Sequence, residues 1–308
     1  MIKMDESVLN DFFGSRLQQN VPLANLTTAK AGGAARYFVT SSSAGQLAED
    51  IRFLWSVEAP FFILGSGSNI LVSDEGINAV VIQNKAKSIQ IENPDTEPAL
   101  YAESGAVLIT AARTAALQGL TGMEWATTVP GTVGGAVYGN AGAFDSSIQQ
   151  CLVAANILHH EQGIQWLNSE QMGYSYRSSL LKRQPGEAFI LAARFSVEKG
   201  DRERIHKQMS EFSERRKLTQ PLGPCMGSTF KNPEGDSAGR IIDSLGLKGT
   251  HIGGVSVSTL HANFFINDGS GSARDYFRLI QLVRSKVEEK TGIQLELEVE
   301  LVGDWQDM

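Results

Sequence analysis

The chain has 308 residues, of which 42% are apolar and 20% charged, with a formal net charge of −7. That length suggests about two domains of ordinary size, each able to bury a core without disulfide staples, and the composition excludes a disordered tail or a fibre. The acidic balance argues against a broad nucleic-acid surface, and Cys151 and Cys225 form neither a disulfide framework nor a zinc spacing. The opening segment MIKMDESVLNDFFGSRLQQN carries acids and no long apolar run, so neither a secretory leader nor a membrane span is expected and a cytoplasmic protein is.

Taken in chain order, the pattern predicts strands at Ala35–Thr40 (ARYFVT), Phe61–Leu64 (FFIL) and Ala79–Ile82 (AVVI), with a helix over Ala44–Trp55 through Leu47, Ile51 and Leu54. ILV follows GSGSN as a further short strand. SIQIEN and ALYAES read as strands about a turn, and Ile109–Leu117 as a helix. After a glycine-rich stretch from Gly131 to Gly142, strands resume at Val153–Leu158, Gly163–Leu167 and Ala188–Phe195. Beyond Glu198–Arg204, helices are expected over Arg204–Lys217, Ser237–Leu245 and Arg274–Lys290. The last of these carries a stripe of Tyr276, Leu279, Ile280, Val283 and Val287. LELEVELVG, residues 295–303, alternates as a strand with Glu296, Glu298 and Glu300 on one face.

Two glycine clusters stand out. GSGSN (Gly65, Ser66, Gly67, Ser68, Asn69) sits between two apolar strands. It can turn backbone N–H groups toward a phosphate, or it can be a plain glycine-rich strand connection. It is neither a dinucleotide fingerprint, because Ile70 stands where the third glycine belongs, nor a Walker loop. VPGTVGGAVYGNAGAF packs glycines 131, 134, 135, 139 and 142 into residues 129–144. Small residues at this density let backbone approach a flat, bulky ligand, with N–H groups left for a pyrophosphate; tight turn packing is the alternative.

The remaining signals are weak singly. Tyr176–Arg177 in GYSYRSS reads as a surface pair, and GSTFKNP offers Ser228, Lys231 and Asn232 to an anionic ligand. Spacing does not select Glu298 among its neighbours. The histidines, 159, 160, 206, 251 and 261, show no metal spacing, and no G-x-S-x-G supports a hydrolase.

In this order, TTAKAGGAARYF (27–38), LGSGSNILV (64–72), GLTGMEW (119–125), VPGTVGGAVYGNAGAF (129–144), YSYRSSLL (174–181), GSTFKNP (227–233), AGRIIDSLGLKG (238–249), HANFFIN (261–267) and LELEVELVG (295–303) resemble the UDP-N-acetylenolpyruvoylglucosamine reductase family across nearly the whole chain. The resemblance implies an α+β fold: an FAD-binding domain of the vanillyl-alcohol-oxidase (PCMH-like) type in two subdomains, 1–85 and 86–204. A substrate-binding domain, 205–308, would follow, its last strand returning to the active site. It implies non-covalent FAD, held by Gly65, Ser66, Gly67, Ser68, Asn69, Pro130, Gly131, Thr132, Gly134, Gly135, Asn140, Ala141 and Gly142.

NADPH would be the hydride donor, and UDP-N-acetylglucosamine enolpyruvate the substrate, reduced to UDP-N-acetylmuramate for peptidoglycan, and so for cell-wall biogenesis, cell shape and division. Arg177 matches the arginine beside the substrate carboxylate, Ser228 the serine proton donor and Glu298 the glutamate near the chain end. Tyr176, Lys217, Lys231 and Asn232 match substrate-lining positions. No tyrosine stands between Arg177 and Ser228, so the chain resembles the subtype without the inserted loop. The implied partner is a nucleotide-sugar, with no metal, nucleic acid, membrane or obligate protein partner. Neither glycine segment holds a histidine for a covalent flavin. An alcohol oxidase of the same fold and a non-catalytic nucleotide-sugar binder are the competing readings.

Overall fold

The computed structural model describes residues 5–305; the first four residues of the segment read for a leader, and the last three of the chain, lie outside it. The described chain forms two compact, discontinuous units. One comprises Thr40–Gly65 and Ile82–Arg216, the other Glu6–Val39, Ser66–Val81 and residues 217–305.

The first unit is built on a five-stranded antiparallel sheet, in the order Gly163–Asn168, Leu152–His159, Ala188–Ser196, Ala99–Glu103, Ile89–Glu92. The helix Leu108–Leu117 (LITAARTAAL) buries Leu108, Ala111, Ala112, Ala115 and Ala116. These positions recur at helical spacing, so one small-residue stripe faces the core. The helix Ala44–Ser56 starts at Ser43, whose side chain accepts from the Gln46 N–H, a cap that stabilises by about 1 kcal/mol. The charged helix Arg202–Thr219 buries only Ile205.

The second unit is organised by the helix Ala273–Thr291. A capping box of Ser272 and Asp275 opens it, and Gly292 closes it at φ 72°. Tyr276, Leu279, Ile280, Val283 and Val287 are all buried, so the expected stripe is the core face. The same core takes in a three-stranded sheet of His251–Ile252, Val255–Val257 and Phe265–Asn267. These strands are too short to show a period in the sequence. The helix Glu6–Phe13 and the strand Gln18–Pro22 were likewise not expected; the strand is polar and pairs antiparallel with Ala34–Ser41.

The chain end departs from the expected regular strand over 295–303. Phe230 bridges Leu297, and only Glu300–Val302 forms a strand, parallel to Ile70–Val72 with Glu300 opposite Ile70. Between these two pairings the N–H of Glu298 donates to Thr229 O at 2.9 Å and that of Val299 reaches the same oxygen at 3.5 Å. Two residues facing one carbonyl make a β-bulge, which interrupts the two-residue alternation. Among the described residues no helix is long and apolar enough to cross a membrane.

Candidate functional site

In the first unit Gly65 lies against the second glycine-rich segment. A Cβ at Gly65 would fall 2.7 Å from Thr132 Oγ1, so that glycine is what allows the contact. The second segment is a helix in its middle, Val133–Gly139, capped by Thr132, whose hydroxyl accepts from the Gly135 N–H. The Val133 and Gly134 N–H groups donate to Ala106 O and Ser104 O, both at 2.8 Å. These amides are therefore already satisfied, contrary to the expectation of free donors here. What the segment offers instead is close approach: at Gly139 a Cβ would meet nothing within 4 Å, and at Gly135 only Thr132 Oγ1 at 3.6 Å.

Around the Tyr176–Arg177 pair, the GYSYRSS segment clamps the end of that helix. Tyr174 donates to Val137 O at 3.0 Å, Ser179 to Tyr138 O at 2.7 Å and the Asn140 amide to Ser175 O at 3.0 Å. The Asn140 carboxamide oxygen also accepts from the Gln149 N–H at 3.0 Å. Burial raises the Tyr174 phenol, which keeps it a neutral donor. The last carbonyls of a helix lack intrahelical partners, and these side chains supply them. Ser175 and Ser178 pair around Tyr176–Arg177, forming a tight turn in which Arg177 takes φ 54°. Tyr176 is exposed, with the Arg177 guanidinium 5.3 Å from its ring centroid.

In the second unit Ser228–Lys231 runs between two segments. Ser228 bridges Phe264, and the buried Asn263 side chain brackets Phe230, accepting from its N–H at 2.9 Å and donating to its carbonyl at 2.8 Å. Across the other side lie residues 296–299, with Lys231 N–H on Glu296 O. Ser228 is thus one residue from Thr229, the hydrogen-bond partner of Glu298. Lys231 Nζ pairs with Glu296 at 3.1 Å. The exposed Asn232 accepts from Ala238 N–H at the start of the helix Ala238–Ser244. Lys217 is exposed near the end of the helix Arg202–Thr219.

Ser66, Gly67, Ser68 and Asn69 also belong to this unit. Gly67, at φ 59°, lies so close to Leu26 and Thr27 that a Cβ would fall 2.7 Å from Leu26 O. Asn69 donates from its side chain to Glu298 O and accepts through its carbonyl from Glu300 N–H, both at 3.0 Å. Asn69, Asn140 and Asn263 do structural work that the sequence did not announce. Each stands in a motif quoted above, but only the folded chain shows what its amide holds. Of the other residues expected around the cofactor, Pro130 is exposed, Gly131 O accepts from Leu108 N–H, Ala141 is half-buried, and Gly142 pairs with Ser147. No group of three His, Cys, Asp or Glu able to hold a metal occurs among the described residues.

A fold of this kind, with paired glycine-rich segments, defines a flavin-binding protein, and residues 35–166 match the FAD binding domain family. Residues 218–302 match the family described as UDP-N-acetylenolpyruvoylglucosamine reductase, C-terminal domain. A UDP-N-acetylenolpyruvoylglucosamine reductase of Clostridium novyi is 40% identical over 97% of this chain and 95% of its own. That of Bacillus subtilis is 41% identical over 92% of this chain and 93% of its own. The crystal structure of the enzyme from Thermus caldophilus superposes with a TM-score of 0.79 at 32% identity, covering 93% of this chain and 99% of that one. The chain belongs to the UDP-N-acetylenolpyruvoylglucosamine reductase family. The expected α+β class with an FAD-binding domain is therefore correct.

Proposed function

We propose that this chain reduces UDP-N-acetylglucosamine enolpyruvate to UDP-N-acetylmuramate, using non-covalent FAD and taking its hydride from NADPH, in the cytoplasm and as a step of peptidoglycan precursor synthesis. Family membership over almost the full length supports this reading. The observation that carries it to particular residues is the adjacency of Ser228 and Glu298, joined through the 2.9 Å bond from Glu298 N–H to Thr229 O. The small-residue approach at Gly65, Thr132, Gly135 and Gly139 fits a bulky planar cofactor. Gly65, Ser66, Gly67, Ser68, Asn69, Pro130, Gly131, Thr132, Gly134, Gly135, Asn140, Ala141 and Gly142 form the proposed cofactor-binding set. The functional division we propose is 1–85 and 86–204 for FAD and 205–308 for substrate.

When bound and reduced by NADPH, FAD would supply the hydride that adds to the enolpyruvyl methylene carbon. The electron pair of the C=C bond then moves to the carbon bearing the carboxylate. Arg177 holds that carboxylate through the two-pronged fork of its planar guanidinium. Ser228 delivers the proton that completes the reduced product. A serine hydroxyl is a weak acid, so neighbouring groups must support its alkoxide or return its proton. Glu298 hydrogen-bonds the developing intermediate, and Tyr176, Lys217, Lys231 and Asn232 line the nucleotide-sugar. The test is optical: the purified protein should be yellow, bleach with NADPH and recover its colour on adding the enolpyruvyl substrate anaerobically. Recovery with oxygen alone, and none with that substrate, would replace the reading by an oxidase.

A further inference from the structure

Glu298 is held at both of its peptide units. Its N–H is spent on Thr229 O at 2.9 Å, and its carbonyl accepts the Asn69 carboxamide at 3.0 Å across 229 positions of sequence. The Asn69 carbonyl in turn takes the N–H of Glu300 at 3.0 Å. One asparagine therefore brackets the bulge from the side opposite Thr229. Immediately after it, Ile70–Val72 and Glu300–Val302 run in parallel register. A bulge removes groups from the regular ladder, and they need another partner when shielded from water. The carboxamide supplies that partner with a donor that a carboxylate lacks.

Resting on the catalytic reading of Glu298 above, we propose that Asn69 is its positioning residue: the side-chain bond to the Glu298 carbonyl holds the bulge and so aims the carboxylate. Asn69 acts through the backbone of Glu298, and its own amide takes no part in the chemistry. The sequence places it at the end of GSGSN, among residues expected to meet the cofactor. In the structure its carboxamide donates to the Glu298 carbonyl near the chain end. Displacing a catalytic group by about 1 Å can cost roughly a hundredfold in rate, which sets the scale expected here.

Asn69→Asp keeps the shape and turns an oxygen toward the Glu298 carbonyl; Asn69→Ala removes the contact. Stopped-flow measurement on the holoenzyme should show reoxidation by the enolpyruvyl substrate slowed roughly a hundredfold, far beyond any change in flavin reduction by NADPH. Asn69→Asp added to Glu298→Gln should cost little more than Glu298→Gln alone, because contacting residues couple. Independently of turnover, amide hydrogen exchange at Glu298 and Val299 in the flavin-free protein should accelerate in both Asn69 variants. Equal slowing of both half-reactions, full additivity, or unaltered exchange at those amides would each overturn the proposal. If a variant loses flavin, the exchange measurement decides. If the wild-type protein is not reoxidised by this substrate, the catalytic reading fails while exchange still judges the Asn69–Glu298 bond.

Discussion

Arg177 donates from Nη2 to the Gly142 carbonyl at 3.2 Å, which ties the Tyr176–Arg177 turn to the end of the glycine-rich segment. The arginine does this from a left-handed backbone conformation at φ 54°, which costs a non-glycine residue roughly 1–2 kcal/mol. A backbone held there by the Ser175–Ser178 pairing and the Asn140 amide presents its guanidinium in a preset orientation.

Arg177→Lys should therefore be costly although it conserves charge. A lysine cannot reproduce the two-pronged hold on a carboxylate. Loss of one preset donor is worth roughly 2.7–4 kcal/mol in the transition state, or about 10²–10³ in rate. Single-turnover reoxidation by the enolpyruvyl substrate should fall by that factor, with flavin content and NADPH reduction near normal. A variant as fast as wild type would remove Arg177 from the catalytic residues.

Ser228→Ala should separate the half-reactions in the same direction. General acid catalysis contributes roughly 10²–10⁴. Reoxidation should slow by at least that much while NADPH still bleaches the flavin at its normal rate. Because Ser228 is held by backbone pairing to Phe264, the variant should fold normally, as thermal melting will show.

The three glutamates near the chain end now have distinct environments. Glu296 is largely exposed and paired with Lys231, so Glu296→Gln should change stability by less than about 1 kcal/mol. Glu298→Gln should lose substrate reduction with flavin binding and folding intact. Glu300→Gln should leave both half-reactions close to wild type, since Glu300 enters the parallel pair through its backbone. Equal damage from Glu298→Gln and Glu300→Gln in reoxidation assays would remove Glu298 from its role.

Two glycines of one helix should respond differently to the same substitution. At Gly134 a Cβ would lie 2.9 Å from Ser104 Cβ and 3.0 Å from Ser104 O, so Gly134→Val strains protein packing and should lower the melting temperature. At Gly135 the nearest atom is 3.6 Å away. Gly135→Val should leave the fold intact and yield colourless protein, because the added bulk enters the space assigned to the cofactor. Full flavin occupancy in folded Gly135→Val would count against that face.

His261 gives the protein a pH signature unrelated to catalysis. Burial, aided by the nearby Lys248, lowers its pKa, outweighing a backbone hydrogen bond that acts the other way. Its Nδ1 accepts from Asn263 N–H at 3.3 Å. With a folded pKa below the unfolded value of about 6.5, the unfolded chain binds the proton first as pH falls. This contribution is complete above that pH and declines below it. Denaturant titrations at pH 7.5 and 5.5 should show a smaller difference in His261→Gln than in wild type.

The sequence alone determined the elements whose signal is local and repeated. The Ala273–Thr291 stripe, the helix expected over Ile109–Leu117, the sheet strands of the first unit and the two glycine clusters were all legible because periodicity and residue size act within a few positions. The order of motifs then pointed to the family. Tertiary structure alone decided what the polar residues in those motifs do. Asn140 and Tyr174 meet their partners across 35 and 37 positions, and Asn69 meets Glu298 across 229. The 295–303 alternation looked regular because a bulge leaves no trace in residue order; it exists only where a second strand offers one carbonyl to two amides. Hydrogen bonds between distant segments depend on which backbone groups folding leaves unpaired, and that is a property of the assembled chain rather than of any window within it.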